Sequence, residues 1–439
     1  MRTALPSRVV GCLLACSYAL IATGPFLLAL LMKTHSFSPA REMGLALGLL
    51  GFPVLALQPV LASRVRAADR AFGLNTLYVF HKTMAMLAGC LLIAHPFLLA
   101  ADPAIGWNLL TSVKHPWFIL LGQVSLLALA ALLVTSLLRK ELHLSYERWR
   151  SAHNALAVVV LAGGFIHSFY AGSDLQRWPM RTLWMLLAVL TAAAYACHKL
   201  IGPRQRRAHP FRIAGVSREN RQVWTLTLAP APGVEGLDYL PGQFQFLTFR
   251  SEEHPFTISS SPTTTGGHSA TIKESGDFTS GIGRLQVGDS VGVQGPFGRF
   301  SYLLYPDEED LVFIGGGIGI TPLIGMLRHM RDTAARKKAI LLWGNRTEED
   351  ILFREELDGM AAAVQPALRV VHVLSRPGPA WKGERGRVDL ELIRRYAPSF
   401  ADGAAFYICG PPAMIDSLAS QLNRAGTPPA KLHTERFDL

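Results

Sequence analysis

Four histidines in two apolar segments carry the most specific chemistry in this sequence. His81 and His95 lie in TLYVFHKTMAMLAGCLLIAHPFLLA, and His153 and His167 lie in WRSAHNALAVVVLAGGFIHSFYAG. Each pair is fourteen residues apart. On a helix that is almost four whole turns, so both rings of a pair point to nearly the same side, about 21 Å apart along the axis. Two such helices side by side present two facing His–His pairs, one near each face of a bilayer core about 30 Å thick. Imidazole is a usual axial ligand of haem iron, and ionisable groups inside a membrane span are costly unless they have a function. One such histidine reads most simply as polar glue between helices. Four at matched spacing read as ligands of two b-type haems.

The elements that position them are six apolar runs, at about 9–32, 41–62, 76–100, 116–138, 149–171 and 180–201, each long enough to cross a bilayer. The lead MRTALPSR resembles the start of a signal peptide, but the apolar run behind it is too long for one, and it reads as a span. With the N-terminus inside, the inner segments hold thirteen basic residues: Arg2, Arg8, Arg64, Arg66, Arg70, Arg139, Lys140, Arg148, Arg150, Lys199, Arg204, Arg206 and Arg207. The outer loops hold five: Lys33, Arg41, Lys114, Arg177 and Arg181. The bias predicts a multi-pass protein of the plasma membrane with both termini and the following domains cytoplasmic. Spans three and five then run outward. His81 pairs with His153 near the inner face, and His95 with His167 near the outer face. With both axial positions filled, such irons relay electrons by outer-sphere transfer.

Composition narrows the rest. Half of the 439 residues are hydrophobic, and the long apolar runs are confined to 1–202. The five cysteines form no CxxC pattern, so neither a disulfide framework nor a zinc site is indicated. The net charge of +11 sits largely beside the spans, and no basic stretch is interleaved with aromatics, which argues against nucleic acid as a partner.

Residues 203–210 read as a polar linker after the haem domain of 1–202. Between 211 and 305, short β-rich runs (RQVWTLTL, QFQFLTFR, DSVGVQGPFG) alternate with Gly/Pro turns, which predicts a small antiparallel barrel. From 306 to 439 the rhythm becomes strand–helix. DLVFIGG, AILLWGN, LRVVHVLS and AAFYICG are strands, with helices near 349–361, 389–396 and 412–424, giving a parallel sheet with nucleotide at the carboxyl ends of its strands. The turn Gly315-Gly316-Gly317-Ile318-Gly319-Ile320-Thr321-Pro322 sits between strand and helix. Its glycines let backbone approach a pyrophosphate and the helix start supplies N–H donors. It does not fit GxGxxG.

Taken together, these motifs resemble the ferredoxin–NADP reductase superfamily as joined to haem-bearing membrane domains in ferric reductases and NADPH oxidases. The resemblance runs from span three to the C-terminus. It implies FAD as cofactor: His254-Pro255-Phe256-Thr257-Ile258-Ser259-Ser260 is similar to the family's flavin strand, and Lys273, Gly276 and Thr279 in IKESGDFT to its second flavin segment. It implies a nicotinamide nucleotide at Gly315, Gly316, Gly317, Gly319, Thr321 and Pro322, and at Cys409-Gly410-Pro411, with Cys409 beside the nicotinamide. Arg346, Ser375 and Arg376 occupy positions where the family often binds the adenosine ribose phosphate. Two guanidinium groups there favour NADPH, with NADH as the alternative. In this superfamily a terminal aromatic often covers the flavin. Phe437 is the counterpart here, although two residues follow it, and Glu435 is a further position that faces the flavin.

The resulting expectation is a flavocytochrome that moves electrons from cytosolic NAD(P)H through FAD and two haems to a small acceptor outside the cytosol. Dioxygen would make it a superoxide-forming oxidase and a ferric chelate an iron reductase. A reading from another class is a haem-bearing subunit that donates electrons to a periplasmic protein partner.

Overall fold

The computed structural model describes residues 7–32, 37–204, 210–249, 252–276, 278–397 and 403–436. The chain divides into two compact units, Met1–Pro203 and Arg204–Leu439.

Six helices of the first unit are long and apolar enough to cross a membrane: Arg8–Leu31, Pro39–Ala62, Leu74–Ala100, Trp117–Leu137, Tyr146–Ala171 and Trp178–Arg204. The unit is built from α1 (Ser7–Leu31), α2 (Pro39–Ala56), α3 (Gln58–Ala62), α4 (Arg66–Phe72), α5 (Leu74–Ala100), α6 (Asn108–Thr111), α7 (Trp117–Leu137), α8 (Tyr146–Ala171) and α9 (Trp178–Ala196). The second span is broken at Leu57, between α2 and α3, where Pro59 follows and has no N–H to continue the ladder. Large apolar side chains face outward along the spans, among them Leu20, Leu127, Leu186 and Val189. In water such a surface would be prohibitive; in lipid it is the expected one.

Inside, α2 packs along α5 and α7 along α8. Small residues let these backbones close up: Gly51 of α2 lies under Leu91 and Leu92 of α5, and Gly163 of α8 lies under Leu121 and Ser125 of α7. An aromatic knot ties the bundle. Phe52 stacks on Trp184 at 5.7 Å and meets Phe165 edge-on at 4.8 Å, while Trp184 Nε1 donates to Ser168 Oγ at 2.8 Å.

The second unit begins with six antiparallel strands: β1 (Phe211–Arg218), β2 (Val223–Pro230), β3 (Phe244–Phe249), β4 (Glu252–Thr257), β5 (His268–Lys273) and β6 (Ser290–Phe297). Their order is β4-β3-β6-β1-β2-β5. The sheet curls until its edges meet, where Ser259 N–H donates to the Ser269 carbonyl at 2.8 Å. Six parallel strands follow: β7 (Asp310–Gly316), β8 (Lys338–Asn345), β9 (Ala367–Leu374), β10 (Glu384–Arg385), β11 (Ala405–Cys409) and β12 (Leu432–Glu435), ordered β10-β9-β8-β7-β11-β12. The short edge strands β10 and β12 are too brief to be seen as runs in the sequence. Helices α10 (Ile320–Asp332), α11 (Arg354–Ala362), α12 (Leu390–Tyr396) and α13 (Pro412–Arg424) connect them.

The helix expected from 349 starts later, at Arg354. Thr347 and Asp350 form a capping box around a single 3₁₀ turn, and Phe353 then takes a left-handed conformation (φ 53°) before α11 begins. From β7 the chain fills one side of the sheet with β8, β9 and β10, then crosses back to lay β11 on the other. A crevice opens where the order reverses, at the carboxyl ends of β7 and β11.

Candidate functional site

Two groups of residues stand out, one in each unit. In the first, α5 carries His81 and His95 and α8 carries His153 and His167, all half-buried. The rings come together in the expected pairs: His153 lies within electrostatic range of His81, and His95 of His167. Each neighbouring span holds the back of a ring. His95 Nδ1 lies 2.7 Å from the Gly44 carbonyl in α2, and His167 Nδ1 lies 2.8 Å from the Phe118 carbonyl in α7. A carbonyl only accepts, so Nδ1 carries the proton in both and Nε2 keeps its lone pair. His153 Nδ1 is 3.2 Å from Ser136 Oγ, which also receives Trp149 Nε1–H at 3.3 Å. His81 Nδ1 is buried beside the Gln58 backbone and makes no hydrogen bond of ordinary geometry. A metal-binding histidine typically donates its other N–H to a carbonyl or carboxylate, which fixes the ring. This donor set fits two haems held between α5 and α8.

In the second unit a cleft of about 1220 Å³ opens at the crevice. Its floor is the glycine turn. Gly317 takes a left-handed φ of 53°, and its carbonyl accepts Trp343 Nε1–H at 2.9 Å. Gly319 lies so close to β11 that a Cβ there would overlap the Cys409 carbonyl. Gly316, Gly317, Gly319, Gly410 and Pro411 all line the cleft, so the two nucleotide motifs form one wall. Gly315 lies one residue deeper, against Trp343. Thr321 and Pro322 are buried in the first turn of α10, and the Thr321 hydroxyl donates back to the Ile318 carbonyl at 3.1 Å. Asn345 presents a buried amide with neither its oxygen nor its nitrogen partnered, at the edge of this cavity. An orphaned buried amide is costly, and a nucleotide in the cleft would satisfy it.

The expected flavin strand is β4, at one edge of the barrel. His254, Pro255 and Phe256 are half-buried, and Thr257, Ile258, Ser259 and Ser260 are buried. Phe278 packs on His254, ring centres 4.0 Å apart, and stacks with Phe256. The hydroxyls of Ser259 and Ser260 serve the barrel: Ser259 meets Thr271 at 2.9 Å, and Ser260 meets Tyr239 at 2.8 Å and receives the Ser269 N–H at 2.8 Å. Burial pushes the Tyr239 hydroxyl up to about 12, so it stays protonated. Lys273 lines the cleft. Gly276 and Thr279 form their own turn, the Thr279 hydroxyl accepting the N–H groups of Ser275 and Gly276 at 2.8 and 3.0 Å. An edge strand beside a lysine suits a flat, anionic cofactor such as FAD.

Arg328 of α10 joins barrel to sheet. Its Nη1 donates to the Ser259 carbonyl at 2.8 Å, and its Nε and Nη2 clasp Glu356 at 2.9 and 2.6 Å. Burial alone would raise the Glu356 pKa, but Arg328 and then Arg331 outweigh it and hold the carboxyl below its ordinary range.

Some expected residues sit differently. Cys409 is fully buried and does not line the cleft, because its side chain belongs to the core shared with Ile320 and Leu323 of α10. Burial, and then the neighbouring Glu435 charge, pushes its thiol well above the usual range, so it is neutral. Glu435 is buried at the register position beside it. Phe437 lies outside the described residues. Arg346 and Ser375 line the cleft, but Arg376 does not; its backbone N–H donates to the Arg346 carbonyl at 2.8 Å. Two further arginines line the cleft, Arg387 and Arg221. Sequence reasoning missed both because they lie outside the resembling motifs. The only signal was the GRV segment that follows Glu384–Arg385.

Three family models match the chain in series: a ferric reductase like transmembrane component over residues 47–164, an oxidoreductase FAD-binding domain over 213–302, and an oxidoreductase NAD-binding domain over 313–420. Among curated relatives, the chain is 31% identical over 207 residues to the glycine betaine monooxygenase reductase subunit of Pseudomonas aeruginosa, covering 45% of this chain and 56% of that one. It is 30% identical over 236 residues to an NADH-cytochrome b5 reductase 1 of Dictyostelium discoideum, covering 52% and 81%. The chain thus spans little more than half the length of the first of these relatives. Among solved structures, an Amycolatopsis cytochrome P450 reductase aligns with 52% of this chain and 69% of its own, at 26% identity and a TM-score of 0.47.

Proposed function

The chain belongs to the superfamily that fuses a ferric-reductase-type membrane domain to an FAD- and NAD-binding reductase module, and from that premise we propose its electron route and the residues that carry it. It is an NAD(P)H-dependent oxidoreductase that transfers electrons across a membrane. We infer that NADPH is the donor, that two b-type haems are held by His81 with His153 and by His95 with His167, and that the acceptor is a small molecule outside the cytosol, dioxygen or a ferric chelate. When bound, FAD would take one hydride, a two-electron equivalent, and pass its electrons on singly, and haems held by the four histidines would carry them through apolar material no free ion crosses cheaply.

The chain's own residues do the positioning. The turn at Gly316–Gly319 and the wall at Gly410–Pro411 accept the dinucleotide backbone. Arg346 and Arg387 supply positive charge at the rim for a ribose phosphate. The buried neutral Cys409 and the Arg328–Ser259 link keep β11 and β4 in fixed register with the cleft. On the membrane side, the Gly44 and Phe118 carbonyls hold the tautomer that leaves Nε2 free.

The observation that carries this reading is the matched pairing of four histidines across α5 and α8, on one polypeptide with a nucleotide cleft. The test is NADPH oxidation by the purified, FAD-supplemented protein, under air and then anaerobically with ferric citrate. Cytochrome c reduction in air that superoxide dismutase suppresses identifies dioxygen. Turnover that requires ferric citrate and persists without oxygen identifies the chelate. A protein with no b-type absorption band after haem supplementation would falsify the relay.

A further inference from the structure

We propose that Gly48 and Gly122 are positioning residues that set the two haem sites at different reduction potentials, the His95–His167 site being the stronger reductant. The inference rests on the haem reading above and concerns this chain's residues alone. In an α-helix the carbonyl of residue i accepts the N–H of residue i+4. The residue at i+4 therefore flanks that acceptor, and any side chain there crowds it. The two carbonyls that receive the histidine rings are those of Gly44 and Phe118, and the residues four further on are Gly48 and Gly122. A Cβ on Gly48 would lie 3.1 Å from both Nδ1 and Cε1 of His95, and one on Gly122 would lie 2.5 Å from Nδ1 of His167. The same notch thus occurs in α2 against α5 and in α7 against α8. In each a glycine lets an imidazole reach a helix carbonyl that already has its own hydrogen bond.

The His81–His153 pair lacks this arrangement. His153 has only the longer, shared contact with Ser136 Oγ, and His81 has no hydrogen bond of ordinary geometry at Nδ1. An Nδ1–H that donates strongly makes Nε2 a better electron donor. A more electron-rich ligand favours the oxidised iron, so the potential falls; hydrogen bonding behind the ligand is one of the protein's recognised levers on haem potential. The pair with two short carbonyl bonds is therefore the lower-potential one. In the orientation read from the basic residues it is also the exit site, which gives the acceptor the stronger of the two reductants.

Spectroscopic redox titration of the purified, haem-loaded protein tests this. The wild type should titrate in two components, and His95→Ala should retain only the higher. Gly48→Ala and Gly122→Ala should move the lower component upward and leave the higher in place, Gly122→Ala by more because its Cβ sits closer to the ring. Ser136→Ala should move only the higher. If His95→Ala retains the lower component, or if Gly48→Ala keeps both haems with both potentials unchanged, the proposal is overturned. Should Gly122→Ala lose a haem, Gly48→Ala and His95→Ala still decide the matter. Absence of any b-type haem in the wild type would instead defeat the underlying haem reading, and this inference with it.

Discussion

The membrane unit and the nucleotide-binding sheet write their chemistry in opposite ways. In the bundle, the proposed function rests on a few polar side chains in an apolar background: four histidines, of which His95, His153 and His167 are bonded to a neighbouring span. In the sheet, it rests largely on backbone, a glycine turn against a Gly410–Pro411 wall, with arginines among the lining residues. The difference follows from the solvent. In lipid an ionisable group is expensive and is retained for a reason, whereas an exposed arginine in water costs almost nothing and marks nothing by itself. The bundle should therefore fail at single side chains, and the sheet should fail first where backbones touch.

The largest effect expected is at His95. His95→Ala should abolish electron delivery to an external acceptor while FAD reduction by NADPH continues at the wild-type rate in stopped flow. Acceptor reduction surviving the change would break the comparison at its root. Next comes Gly319→Ala. A methyl there overlaps the Cys409 carbonyl, and overpacking of this kind costs about 1–3 kcal/mol. NADPH affinity and the melting temperature of the flavin-bound protein should fall together, with haem content unchanged. A variant with normal nucleotide affinity would mean the two walls do not need to touch.

Much of this was readable beforehand, for reasons that differ by region. The six spans fall within three residues of the expected limits because long apolar runs have one reading. The histidine pairing was readable because a fourteen-residue interval nearly completes a whole number of turns. The glycine turn and β11 were legible from their strand–helix setting. What escaped was whatever depends on contacts distant in sequence. Nothing local tells that Arg387 faces the cleft and Arg376 does not; the two-residue strand β10, pairing with Val373 and Leu374, decides it. The same holds for Cys409, whose side chain joins a core built with Ile320 and Leu323 of α10, and for the left-handed Phe353 that delays α11.

That lesson sharpens into a smaller effect. Arg387→Ala should raise the KM for NADPH by about ten- to a hundredfold, the worth of a hydrogen bond to a charged group at about 1.5–3 kcal/mol, and leave NADH kinetics almost untouched. Arg376→Ala should do much less with either nucleotide. If the two arginines exchange these phenotypes, the sequence motif was the better guide than the cleft.

The smallest effect concerns a carboxylate that does not line the nucleotide cleft. Glu308 is buried and accepts from the Tyr407 hydroxyl at 2.6 Å and from His433 Nε2 at 3.0 Å, with Lys431 Nζ at 3.9 Å. It ties the segment before β7 to β11 and β12, although His433 lies 125 residues away in sequence. Burial alone would raise its pKa, but the bonds from His433 and Tyr407 outweigh that and hold it below the ordinary 4.5. A carboxylate with a depressed native pKa stabilises the fold fully above the unfolded value and loses that contribution as pH falls through the native one. Glu308→Gln should therefore melt lower than the wild type near neutrality, by about 2–4 °C for each kcal/mol lost in a unit of this size. The gap should close as pH drops below 4.5. Flavin release on heating, followed from pH 7 to 3, reads this directly in the full-length protein. A gap that stays constant across that range would mean the carboxylate's shape matters and its charge does not, placing this part of the sheet with the bundle's packing and not with the charged rim.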